Sequence, residues 1–187
     1  MDGPALIALV GLPGSGKTSA GRALAELLGA DFIDLDDYIT EGAGMSVAAV
    51  FELRGEAGFR ELESRALEEL TRPRPAGARP TVLATGGGVV LREANRRALR
   101  GRCAVLWLDA SPAVAAHRLA LEAERPGAVA HLRPLLAGGD VETRLRELAA
   151  ERRPLYEACA SLSLAADLLP PEELAQAAAE ALGAYRR

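Results

Sequence analysis

Residues Gly11-Leu12-Pro13-Gly14-Ser15-Gly16-Lys17-Thr18 fit G-x-x-x-x-G-K-[ST] in full. They sit between a short apolar run, Ala5–Val10, and a stretch with helical periodicity, Lys17–Leu28. This arrangement constrains the fold more than anything else in the chain. A strand must feed a tight turn whose backbone amides face inward, and a helix must start at the end of that turn. The helix dipole then favours negative charge where the amides converge. Gly14 and Gly16 let the backbone approach an anion without Cβ clashes. Lys17 suits the β- and γ-phosphates, and the Thr18 hydroxyl suits Mg2+. With Ser15 and Ser19 these residues form the candidate nucleoside-triphosphate site.

The rest of the chain supplies what such a loop needs around it. Short apolar runs at Phe32–Leu35, Thr81–Ala84, Cys103–Leu108 and Ser161–Ala165 alternate with amphipathic stretches. Helices are predicted over Val47–Leu53, Glu56–Leu70, Arg92–Arg100, 112–123 and Pro171–Leu182, with Ser46 and Ser111 as caps. Val141–Ala160 reads as helix interrupted at Pro154. Strand–helix alternation predicts an α/β chain, a parallel sheet with helices on both faces. At 187 residues, one compact domain is expected. Hydrophobic residues are 49% and aromatics only 4%, so the core should be aliphatic. A net charge of −4 argues against a general nucleic-acid binder. Cys103 and Cys159 are too few for a disulfide framework and read as reduced core thiols. No run reaches the ~18 apolar residues of a membrane span. The start Met1-Asp2-Gly3-Pro4 lacks the basic residues of a secretory signal. His117 and His131 read as solvated side chains, and Trp107 as core.

The phosphate acceptor must be read elsewhere. Phe32-Ile33-Asp34-Leu35-Asp36-Asp37 places acids at the carboxyl end of the second strand, the edge that faces the ligand crevice in open parallel sheets. Strand alternation would turn Asp34 and Asp36 to one face. One acid beside the triphosphate suits Mg2+ through water; the other suits an acceptor hydroxyl and its proton. Capping of a following helix is the competing reading for Asp36 and Asp37. Thr85-Gly86-Gly87-Gly88 follows the third strand and exposes backbone amides to the same edge. Taken alone, Arg60 reads as a solvated helix charge.

In order and spacing, these pieces resemble the shikimate kinase family. The residues that carry the likeness are the phosphate loop, Asp34-Leu35-Asp36, Gly55-Glu56-Ala57-Gly58-Phe59-Arg60, Gly86-Gly87-Gly88, Arg133-Pro134-Leu135-Leu136 and Arg152-Arg153-Pro154-Leu155-Tyr156. The likeness runs from about Leu6 to Leu182. It implies a five-stranded parallel sheet in the order 2-3-1-4-5 and transfer of the ATP γ-phosphate to the 3-hydroxyl of shikimate. It implies that Asp36 binds the ring hydroxyls and acts on the one phosphorylated, and that Arg60 and Arg152 grip the carboxylate. Gly86, Gly87 and Gly88 would support the substrate. Asp34 would stand behind a Mg2+ held by Thr18, and Arg118 would stack on adenine. Arg133 would lie on a lid, residues 122–139, that closes over the phosphates, while residues 36–65 form the substrate-binding region. Lys17, Asp36 and Arg133 are the implied catalytic residues. A cytoplasmic monomer is the expectation.

Departures from the family pattern are also visible. The 125–139 segment is long for a lid. The loop Ala166-Asp167-Leu168-Leu169-Pro170-Pro171 has no basic residue beside the adenine, which leaves backbone groups and Arg118. Asp37 adds a carboxylate that would repel an anionic substrate unless it points outward. The competing functions are another small-molecule kinase, acting on gluconate or a nucleoside monophosphate, and a non-catalytic binding protein. The last would require damage to Lys17, Thr18, Asp36 or Arg133, and all four are intact.

Overall fold

The computed structural model describes residues 5–75, 77–124 and 140–184. Five strands, β1 (Leu6–Val10), β2 (Asp31–Asp34), β3 (Thr81–Ala84), β4 (Ala104–Asp109) and β5 (Leu162–Ala165), form one sheet in the order β2-β3-β1-β4-β5. Every pairing is parallel. β1 is buried along its whole length, as its unbroken apolar run requires of a central strand. Its side chains divide by parity. Ala8 and Val10 join one core with Val105, Trp107, Leu145 and Leu148, while Ile7 and Leu9 join another with Leu24, Leu106 and Ala178. Helices therefore cover both faces. α3 (Val47–Leu70), α4 (Glu93–Arg102) and α6 (Val141–Cys159) pack on the first; α1 (Lys17–Leu28) and α7 (Pro171–Ala184) pack on the second. α2 (Leu35–Ala43) and α5 (Pro112–Ala123) lie at the carboxyl end of the sheet.

The register sets the site. Leu9 pairs with Ala84, Ala84 with Asp34, and Val10 with Trp107. The loops after β1, β2, β3 and β4 thus leave the sheet at one level. Chain order reverses at β1, which is where an open parallel sheet leaves a crevice.

Three local readings change. The Asp36 expectation from strand alternation fails, because β2 stops at Asp34. The Asp34 side chain accepts from the Asp36 backbone N–H at 3.0 Å and caps α2, so Asp36 lies in the first helical turn. Pro154 does not interrupt α6; Leu148, Tyr156 and Cys159 anchor the helix on both sides of it, and this packing overrides the lost backbone bond. The core is less purely aliphatic than composition suggests, since Trp107, Tyr156 and Phe59 are all buried in it. The break between the two helical stretches near residue 55 is real. Gly55 has φ +66° and ψ 179°, so a second helical segment begins at Glu56. Ser46 and Ser111 cap α3 and α5 as read from the sequence. Burial pushes the Cys103 thiol up to about 12 and raises that of Cys159 as well, so both stay protonated and unreactive. No described helix is long and apolar enough to cross a membrane.

Candidate active site

The phosphate loop has the form its sequence demands. Gly14 and Gly16 have φ of +77° and +92°, and a Cβ on Gly14 would stand 2.4 Å from the Ala115 carbonyl oxygen. Gly16 caps α1 with no side-chain hydrogen bond, which leaves the first amides of the helix to a ligand. Lys17 is 5% exposed and folds back on its own loop. Its Nζ donates to the carbonyls of Gly11 (3.0 Å) and Leu12 (2.7 Å) and to Ser15 Oγ (3.3 Å). Thr18 Oγ1 donates to Asp34 Oδ2 at 2.8 Å, so one carboxylate both caps α2 and meets the end of the phosphate loop. Thr18 and Ser19 are exposed.

Arg118 is half-buried on α5 and bridges the two sides of the nucleotide edge. Its Nη2 donates to the Ala166 carbonyl at 2.6 Å and its Nη1 to the Ser15 carbonyl at 3.4 Å. Asp167 in the facing loop accepts from the Ser111 N–H at 2.7 Å, which fixes that loop through a side chain rather than a basic group.

Next to the phosphate loop, Asp36 and Arg60 meet at Gly86–Gly88, and Arg152 is near enough to Glu63 to act on its charge. A Cβ on Gly86 would stand 2.9 Å from both Asp36 Oδ1 and Glu63 Oε1, and one on Gly88 would fall within 2.5 Å of the Arg60 guanidinium. Only glycine permits side chains to close over this loop. Arg60 is 7% exposed and Arg152 3% exposed, which overturns the surface-charge reading of Arg60. The Nε of each is buried without a hydrogen-bond partner among the described residues. Two desolvated guanidinium groups with unpaired Nε donors suit an anionic group. Tyr156 Oη donates to the Gly87 carbonyl and ties α6 to the same loop. Asp37 points outward, half-exposed and 4.0 Å from Arg22.

Sequence reasoning missed Glu63. It is wholly buried, and Arg60 Nη1 donates to both of its oxygens at 2.9 Å. Burial raises its pKa to about 7; Arg60 opposes this, Asp36 adds to it, and Arg152 opposes it. A signal was available. Phe59, Arg60, Glu63, Ala66 and Leu67 form one buried stripe on α3, and an acid on such a stripe needs a partner. Arg133 and His131 lie outside the described residues, as does most of the 122–139 segment. A cavity of about 730 Å³ behind α5, lined by Leu12, Trp107, Arg153, Tyr156 and Leu168, touches none of Lys17, Asp36, Arg60 and Arg152.

A strand, a glycine-rich loop with Lys17 and Thr18, and a helix at the switch point of a parallel sheet define a P-loop kinase fold. The shikimate kinase family model matches residues 13–183. A curated shikimate kinase from Symbiobacterium thermophilum is 46% identical over 161 residues, 86% of each chain. One from Gloeobacter violaceus is 48% identical over 163 residues, 87% of this chain and 84% of its own. The solved shikimate kinase from Acinetobacter baumannii in complex with shikimate superposes with a TM-score of 0.84 at 36% identity, over 96% of this chain and 93% of that one. The chain belongs to the shikimate kinase family. A gluconokinase from Sinorhizobium meliloti, at 19% identity and TM-score 0.60, shares the fold alone.

Proposed function

We propose that this chain transfers the γ-phosphoryl group of ATP to the 3-hydroxyl of shikimate, with the residues described above in distinct roles. The observation that carries the reading is the meeting of Asp36 and Arg60 at Gly86–Gly88, with the buried Arg152 acting on the same Glu63, beside a phosphate loop at the same sheet edge. A ring acid carrying hydroxyls matches this set. Guanidinium forks pair with its carboxylate, and an ionised Asp36 accepts from its hydroxyls.

The α1 amides and Lys17 hold the triphosphate; Lys17 Nζ exchanges the Gly11 and Leu12 carbonyls for phosphate oxygens. Asp36 orients the 3-hydroxyl oxygen in line with the γ-phosphorus. As the new O–P bond forms, the bond to the bridging oxygen breaks, ADP leaves with the electron pair, and Asp36 takes the hydroxyl proton. The transition state is loose, so positioning and charge neutralisation outweigh proton removal. Thr18 Oγ1 and the Asp34 carboxylate, 2.8 Å apart, are hard oxygen donors that fit Mg2+, Thr18 directly and Asp34 through water. When bound, Mg2+ offsets charge on the β- and γ-phosphates. Arg118 supports the adenine. Arg133, in its Arg-Pro-Leu-Leu motif, closes over the phosphates as part of a lid spanning 122–139, and residues 36–65 form the substrate region. We read the chain as one kinase domain, a cytoplasmic monomer with no nucleic-acid or membrane partner.

Coupled ADP release tests the acceptor. Turnover is expected with shikimate and not with gluconate or nucleoside monophosphates. Preference for either of the others overturns the assignment.

A further inference from the structure

We propose that Glu56 is a resident carboxylate on Arg60 that every acid entering the site must displace, so that it sets the threshold for carboxylate binding. This rests on the reading of Arg60 as the substrate's carboxylate partner.

The two acids on Arg60 are not equivalent. Glu63 is wholly buried and takes Nη1 with both oxygens at 2.9 Å. Removing it would strand a desolvated guanidinium, so it stays. The guanidinium lies close against Gly88. At Nη2, Glu56 Oε1 stands at 3.3 Å. The Glu56 side chain is 48% exposed, against 9% for Arg60. The backbone break at Gly55 places Glu56 in the first turn of a new helical segment, one turn before Arg60. Glu56 therefore presents to Arg60 the same functional group as the substrate, with a longer contact and half its surface in water. A half-exposed pair of this kind is weak and readily exchanged.

Exchange has a defined thermodynamic signature. Apparent affinity is intrinsic affinity reduced by the fraction of molecules in which Arg60 is open. The factor is common to all carboxylates, because each displaces the same group. It does not touch a ligand that makes no ionic contact with Arg60. Glu56 thus keeps weak organic acids from populating the site, and a ligand must add hydroxyl contacts, such as those to Asp36, to bind well.

Calorimetric titration of Glu56→Gln tests this with three probes: shikimate, cyclohex-1-ene-1-carboxylate, and the shikimate analogue whose carboxylate is replaced by hydroxymethyl. The dissociation constants of both acids should fall by the same factor, about two- to fivefold, and that of the neutral analogue should not change. Glu56→Asp, which keeps the charge but is too short for the contact, should behave like Glu56→Gln. Unchanged or weaker shikimate binding, or equal gains for the neutral analogue, overturns the proposal. Arg60→Ala separates the two readings. If it weakens shikimate binding while Glu56→Gln has no effect, only the resident-carboxylate proposal falls. If it leaves shikimate binding intact, the Arg60 assignment falls with it.

Discussion

Asp36 sits in the first turn of α2, its backbone N–H held by Asp34 and its carboxylate against Gly86. An amide in its place keeps the shape but cannot take a proton. Asp36→Asn should therefore lower kcat by about 10²–10⁴-fold while the dissociation constant for ATP stays within twofold, read by single-turnover kinetics and nucleotide titration. Glu63 gives a prediction of another kind. Its folded pKa of about 7 lies above the ordinary 4.5, so the folded state holds a proton that the unfolded chain has released. This contribution to stability is complete below about pH 4.5 and is lost as pH rises through 7. Urea denaturation between pH 5 and 8 should show that fall, and Glu63→Gln should flatten it. A wild-type profile rising over this range would contradict the assignment.

At the scale of elements, the Gly86–Gly88 loop is a platform clamped from three sides: Asp36 of α2, Arg60 and Glu63 of α3, and Tyr156 of α6. Its smallness is functional. In Gly88→Ala the new Cβ would meet the Arg60 guanidinium at 2.3–2.5 Å, so Arg60 must move and break its pairing with Glu63. The KM for shikimate should rise by roughly tenfold or more, since a charged hydrogen bond is worth about 1.5–3 kcal/mol. The KM for ATP should hold. An equal rise in both would mean that the loop supports the nucleotide instead. The buried stripe of α3 and Tyr156 of α6 show how helix periodicity delivers side chains to one loop from distant positions in sequence.

For the whole molecule, the phosphate loop offers backbone donors that a nucleotide would engage, so binding should stabilise the fold. At a nucleotide concentration 100 times its dissociation constant the gain is about 2.7 kcal/mol. In a chain of this size that is roughly 5–10 °C in Tm, at ~2–4 °C per kcal/mol. Lys17→Ala should lose most of the shift in differential scanning fluorimetry, because Lys17 Nζ is the loop's cation. A full shift in that variant would remove Lys17 from phosphate binding. All four loops that build the crevice leave the sheet at one level because the strand register puts Leu9, Ala84 and Asp34 side by side.

The sequence alone determined what depends on neighbours along the chain. The phosphate loop, the apolar strands, the Ser46 and Ser111 caps and the break at Gly55 follow from local sterics and hydrogen bonding, which act over a few residues. Only the tertiary structure decided that Asp36 begins a helix instead of ending a strand, that Arg60 is buried, and that Glu63 is its buried hydrogen-bond partner. Those outcomes turn on burial and electrostatics between α2, α3, α6 and the glycine loop. Desolvation belongs to the assembled crevice, and no single segment of the chain carries it.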